Sequence, residues 1–93
     1  MKYFDWNEEK NKLLKIERDI CFEDVLIAFD SGGLLDIVEN KKKKKYPKQK
    51  IFIVNINNYA YLVPFVEDNK KIFLKTIIPS RKATKKYIIK GGN

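Results

Sequence analysis

Between residues 8 and 30 the apolar positions recur at helical spacing, and from Leu34 onward they recur every second residue. The chain therefore predicts a helical segment followed by a sheet. Ahead of the helices, Tyr3, Phe4 and Trp6 predict a short first strand. Asn7 is placed to cap a helix over residues 8–18, and the acids Glu8 and Glu9 suit its first turn. Leu13, Leu14 and Ile16 are expected to supply its buried side, with the Lys and Glu residues between them solvated. Asp19 tolerates the left-handed conformation that ends a helix. A second helix is predicted from Phe22 to Phe29, where Phe22, Val25, Leu26, Ala28 and Phe29 carry the spacing, and Ser31, Gly32 and Gly33 end it.

The sheet begins with a predicted strand at Leu34–Val38. A lysine-rich loop follows, in which five like charges repel one another and Pro47 interrupts regular structure. Ile51–Ile56 and Tyr59–Val66 read as two strands joined at Asn57-Asn58, a pair that accepts the positive φ of a two-residue hairpin turn. Glu67–Lys71 is the next turn and Ile72–Ile78 the next strand. Pro79 marks an edge or bulge because it has no N–H for a ladder. Thr84 is the expected cap of a last short helix through Lys90. The order β-α-α-β-β-β-β-α predicts an α+β fold, two N-terminal helices packed on a mostly antiparallel sheet with a short C-terminal helix. The 93 residues suit one domain.

Charge changes the picture when it is placed along the chain. Residues 1–40 hold five Lys/Arg against ten Asp/Glu, and residues 41–93 hold fifteen against two, so the net +8 is the difference between a −5 half and a +13 half. A lysine run alone is what a lysine-rich genome produces, but a strand-rich half almost without acids makes a field that attracts phosphates. The candidate partners are nucleic acid or an acidic protein. No apolar run approaches the ~18 residues of a membrane span, and the opening residues lack a signal peptide's apolar core. The expectation is a cytoplasmic protein with no membrane partner. There is no histidine, and Cys21 is the one cysteine, so a Cys/His zinc site is out of reach and no cofactor or metal is expected.

Three segments resemble the BrnT-like toxins of bacterial type II toxin-antitoxin systems, in the RelE/ParE-like fold group. They are Phe4 to Asn11, reading F-x-W-N-x-E-K-N; the run Ile20-Cys21-Phe22-Glu23-Asp24; and Ile77-Ile78-Pro79-Ser80-Arg81-Lys82-Ala83-Thr84 with Tyr87. The resemblance extends over nearly the whole chain. It implies a RelE-like fold and a small metal-independent endoribonuclease. It also implies a cognate antitoxin encoded beside it, a DNA-binding protein such as a ribbon-helix-helix protein, through which alone operator DNA would be contacted. RNA, free or on the ribosome, is the implied substrate. The sequence departs from the family pattern at two places. The family's Lys-His-Gly and capping Ser stand here as Arg18-Asp19 and Cys21, which removes the histidine, and Tyr87 stands where a Glu would complete a capping box with Thr84.

Cleaving RNA without a metal means activating a 2′-oxygen, stabilising the phosphorane's charge and protonating the 5′-oxygen. Arg81 and Lys82, at the junction of the last strand and last helix, are the candidates for phosphate and transition-state binding. Lys75 stands six residues before Arg81 and shares its face unless a bulge intervenes. Tyr46 completes the catalytic candidates. Lys45, Gln49 and Lys50 are placed to hold RNA beside it, and Tyr61 and Tyr87 to stack or donate. A lysine among cations has its pKa lowered and can carry a proton. Glu67 and Asp68, the acids of the second half, fit a hairpin turn better than a base. For Tyr59 and Tyr61, on one strand face, core packing competes with stacking. Cys21 has no partner base and reads as a capping or buried residue. Two other classes stay open, a non-catalytic nucleic-acid-binding module and a protein that docks an acidic partner.

Overall fold

The computed structural model describes residues 2–40 and 49–89. Its elements are β1 (Tyr3–Asp5), α1 (Glu8–Arg18), α2 (Phe22–Asp30), β2 (Leu34–Glu39), β3 (Lys50–Ile56), β4 (Tyr59–Glu67), β5 (Lys71–Leu74), β6 (Ile78–Pro79) and α3 (Arg81–Thr84), which widens into a π-helical segment, Lys85–Ile89. The strands form one sheet in the order β1-β5-β4-β3-β2, with β6 paired to β4. All pairings are antiparallel except β1 with β5, which is parallel. This is the predicted α+β arrangement.

Local chemistry sets the boundaries. The Asn7 side chain accepts the Lys10 N–H at 3.0 Å, and Asp19 ends α1 at φ 55°, ψ 38°, as its residue type permits. Asn57 and Asn58 take φ 55° and 63°, which closes the β3–β4 hairpin in two residues. Gly33 follows α2 where a Cβ would stand 2.8 Å from the Asn55 carbonyl oxygen and 2.9 Å from that of Ala28, so only glycine lets β2 leave the helix this close to β3.

The sheet buries its two faces unequally. On one, Leu14, Phe22 and Val25 from the helices pack on Phe52, Val54, Val63, Phe65 and Leu74, with the Phe52 and Phe65 rings stacked at 3.8 Å. On the other, a smaller cluster of Ile53, Ala60 and Ala83 is flanked by Val38, Leu62 and Tyr87, and the C-terminal helix covers it. The first helix departs from expectation. Leu13 and Ile16 are 51% and 80% exposed, and α1 instead buries Leu14 and Asn11. Asn11 belongs inside because its Oδ1 accepts the Phe22 N–H at 2.7 Å, an otherwise unpaired donor in the first turn of α2, while its Nδ2 donates to Glu23 at 2.8 Å.

Two further expectations are corrected near the C-terminus. The predicted strand Ile72–Ile78 is broken. β5 pairs Leu74 with Phe65, but β6 pairs Ile78 with Leu62, so one extra residue lies between them. Arg18 donates from Nη1 to the Ile77 carbonyl oxygen at 2.6 Å within that bulged stretch. The last helix begins at Arg81, not after Thr84, because Ser80 is the cap and its Oγ accepts the Ala83 N–H at 3.0 Å.

Candidate nucleic-acid interface

The C-terminal helix is stitched to the sheet through one residue of β4. Ala60 accepts the Ser80 N–H at its carbonyl (3.0 Å), and its own N–H donates to Thr84 Oγ1 (2.9 Å). Thr84, 4% exposed, also donates to the Ser80 carbonyl oxygen at 2.7 Å. A hydroxyl that both accepts and donates is what this position demands. It explains why a good capping residue lies inside the helix.

So fixed, the helix presents Arg81 and Lys82 to solvent in its first turn. Lys82 and Lys86 lie four residues apart, and with Tyr87, Ser80 and one acid, Glu39, they line a groove of about 230 Å³ whose apolar lining is Val38, Ile53, Leu62 and Ala83. The Tyr87 hydroxyl donates to Asp36 Oδ2 at 2.6 Å and ties the helix to the edge strand β2. The shared proton raises the Tyr87 pKa and lowers that of Asp36, which the Ile37 N–H and Lys86 stabilise further. Tyr87 therefore keeps its proton, and its hydroxyl is engaged by the carboxylate.

The other predicted residues scatter. Strand alternation does not link Lys75 to Arg81, because an extra residue precedes Ile78 and Arg81 lies in a helix; only the register of β4 and β5 relates Lys75 to the side the helix covers. Its Nζ lies 5.7 Å from the Phe73 ring centroid, and Lys71 Nζ approaches the same ring at 5.8 Å. Tyr61 is on the sheet face opposite Lys82 and Tyr87. It packs beside the main core and meets the half-buried Tyr59 edge-on at 5.7 Å. Gln49 hydrogen-bonds the Asn40 side chain, and Lys50 is exposed at the start of β3, opposite Glu39 and Phe65. Lys45 and Tyr46 lie outside the described residues. Glu67 is the last residue of β4, not part of the turn, and pairs with Lys2 at 2.6 Å, while Asp68 accepts the Lys70 and Lys71 N–H groups, the turn role expected of it. Cys21 is half-buried at the start of α2, where burial pushes its thiol pKa up and its N–H donates to Asp24 at 3.0 Å.

A larger hollow of about 460 Å³ opens on the helix side of the sheet, among Asp19, Asp24, Asn55, Asn57 and Tyr61. Its two carboxylates outnumber its one cation, Lys15, which is itself paired with Asp19, and this balance disfavours a phosphate. Sequence reasoning missed Lys86, Lys71, Phe73 and Asp36 as members of the basic face or its supports. The i, i+4 spacing from Lys82 to Lys86 was a usable signal, whereas nothing local joins Asp36 to Tyr87 across 51 residues. Among the described residues no three Cys, Asp or Glu side chains gather as metal ligands would, and no helix is long and apolar enough to cross a membrane.

No protein-family model matches this sequence, and no curated protein matches it. Among solved structures, the Brucella abortus ribonuclease toxin BrnT superposes with a TM-score of 0.63 over 86% of this chain and 97% of that one, at 13% sequence identity. Identity this low speaks to architecture alone, and the conclusion is that this chain has a BrnT-like fold.

Proposed function

We propose that residues 1–93 act as one ribonuclease toxin domain, working in the cytoplasm on RNA and neutralised by a cognate antitoxin. The observation that carries this reading is the placement of Lys82 and Lys86 along one groove, with Arg81 exposed in the same helix, on a fold shared with a ribonuclease toxin. In this reading Arg81 forks onto a phosphate, and Lys82 and Lys86 offset the charge that grows on the phosphorane oxygens. The apolar lining beside them receives a base or ribose. Tyr87 is a positioning residue, since its proton is held by Asp36 and it anchors the helix carrying both lysines.

That engaged phenol also favours a second reading, a module that grips RNA without cutting it, because it removes the nearest neutral acid from the groove. Expression in bacteria with mapping of RNA 5′ ends separates the two. The toxin reading expects growth arrest and new RNA ends, both abolished by Arg81→Ala combined with Lys82→Ala and both suppressed by a neighbouring open reading frame that encodes the antitoxin. Harmless expression, together with folded purified protein that leaves RNA intact alone and with ribosomes, refutes it. RNA binding without cleavage establishes the second.

A further inference from the structure

Phe73 is half-buried, yet among the described residues it packs into neither core cluster. Its ring is approached by two ammonium groups, from Lys71 at the start of β5 and Lys75 just past its end, at 5.8 and 5.7 Å. The register fixes where this group faces. Phe73 pairs with Val66, and β4 runs beside β3 with no break in register from Tyr59 to Phe65, so Val66, Pro64 and Leu62 share one side of the sheet. Leu62 belongs to the groove beside Lys82 and Lys86. One sheet face therefore carries a pair of lysines at each end, joined by half-buried Val66, Pro64 and Leu62. The four-residue step from Val66 to Leu62 spans about 13 Å.

We infer that Phe73, with Lys71 and Lys75, is a second RNA subsite, where a base of a single strand stacks on the ring and the flanking phosphates meet the two ammonium groups. An aromatic ring on an open strand face between cations is the chemistry by which single strands are held. Duplex RNA keeps its bases stacked inside and cannot use the ring. Lys71 also lies 3.5 Å from Asp5, which orients it and tempers its charge, while Lys75 is exposed. The inference rests on the proposed RNA reading and adds the path of the strand, from the helix groove across β4 to β5.

The test is anisotropy of a labelled, unstructured oligouridine with the full chain at several salt concentrations, alongside the cleavage assay. Phe73→Leu, which keeps apolar bulk, is expected to weaken binding about tenfold, and Phe73→Trp to restore it. Lys71→Gln combined with Lys75→Gln is expected to reduce the slope of log K against log salt by about 1.4. A 4-thiouridine oligomer should cross-link to a peptide containing Phe73. Wild-type binding that both variant sets match in affinity and slope overturns this subsite and leaves the RNA reading standing. Binding that depends on Phe73 without cleavage sinks the nuclease reading and keeps the subsite. A wild type that binds an acidic polypeptide but not the oligomer overturns both.

Discussion

Thr84→Val isolates the attachment of the C-terminal helix, because valine has threonine's shape and lacks its hydroxyl. In the wild type that hydroxyl accepts the N–H of Ala60, a residue with no exposed surface, and donates to the Ser80 carbonyl. The Ser80 carbonyl keeps the Thr84 N–H at 3.0 Å, so it is not orphaned by the change. The Ala60 N–H has no such replacement. Leaving one buried amide unpaired costs about 1–3 kcal/mol, and the lost bond to Ser80 adds about 1. A buried methyl in place of the hydroxyl returns about 0.8. The net loss is about 2 kcal/mol, a sizeable part of the ~5–15 kcal/mol that holds a small domain folded. With an m-value of about 1 kcal/mol/M for so short a chain, the urea midpoint should fall by about 2 M. Hydrogen exchange supplies the local readout, because the Ala60 amide should lose protection more than its neighbours in β4. Thr84→Ser retains both hydrogen bonds and should be the milder change. A valine variant within 0.5 kcal/mol of wild type, or one more stable than the serine variant, would refute the reasoning.

Asn11→Leu should destabilise by about 2–3 kcal/mol in the same urea assay, since it strands the buried Phe22 N–H and exchanges an amide for a side chain that cannot accept. Gly33→Ala forces a Cβ against two carbonyl oxygens and should cost about 1–3 kcal/mol, although its φ is not left-handed. Stability should also decline with acid. The pKa values of Glu23, Asp36, Glu67 and Asp68 are held below their ordinary 4.5 or 3.8 by hydrogen bonds, so their contribution is present above those values and disappears as pH falls through the lower folded ones. A melting temperature that holds steady from pH 5 to pH 2 contradicts this. At the alkaline end the sign reverses, because the Tyr87 pKa is raised above 10.0. Its contribution is complete below that pH and is lost as pH rises through the folded value, and Asp36→Asn should remove the late-titrating tyrosine from the absorbance curve.

Where a boundary depends on residues adjacent in sequence, it was legible. Asn7, Asp19 and the Asn57-Asn58 pair each act through their own backbone, and each does what its chemistry predicts. Legibility failed where a distant partner decided the outcome. Asn11 looks like a surface residue until the first turn of α2 needs an acceptor, while Leu13 and Ile16 look like core until α1 is found to bury only a narrow strip. Alternation placed Tyr59 and Tyr61 together but could not say which face of the sheet they share. One extra residue before Ile78 undid the link from Lys75 to Arg81. For the basic face, charge distribution and the segment Ile77 to Thr84 singled out Arg81 and Lys82, which lie exposed in the first turn of the C-terminal helix. The members contributed by pairing, Phe73 with its two lysines and Asp36 with Tyr87, required the register.

The parallel pairing of β1 with β5 also sets an order of events during synthesis. Tyr3 pairs with Lys71 and Asp5 with Phe73, so β1 lacks its neighbour in the sheet until that partner, 68 residues later, emerges from the ribosome. At about 5–20 residues per second that wait is roughly 3–14 s, far longer than the ~1–10 μs in which the β3–β4 hairpin can close. The nascent chain must carry its aromatic opening segment unpaired while the rest of the sheet assembles. The strand bearing Phe73 gains its outer neighbour only when the two distant segments finally meet.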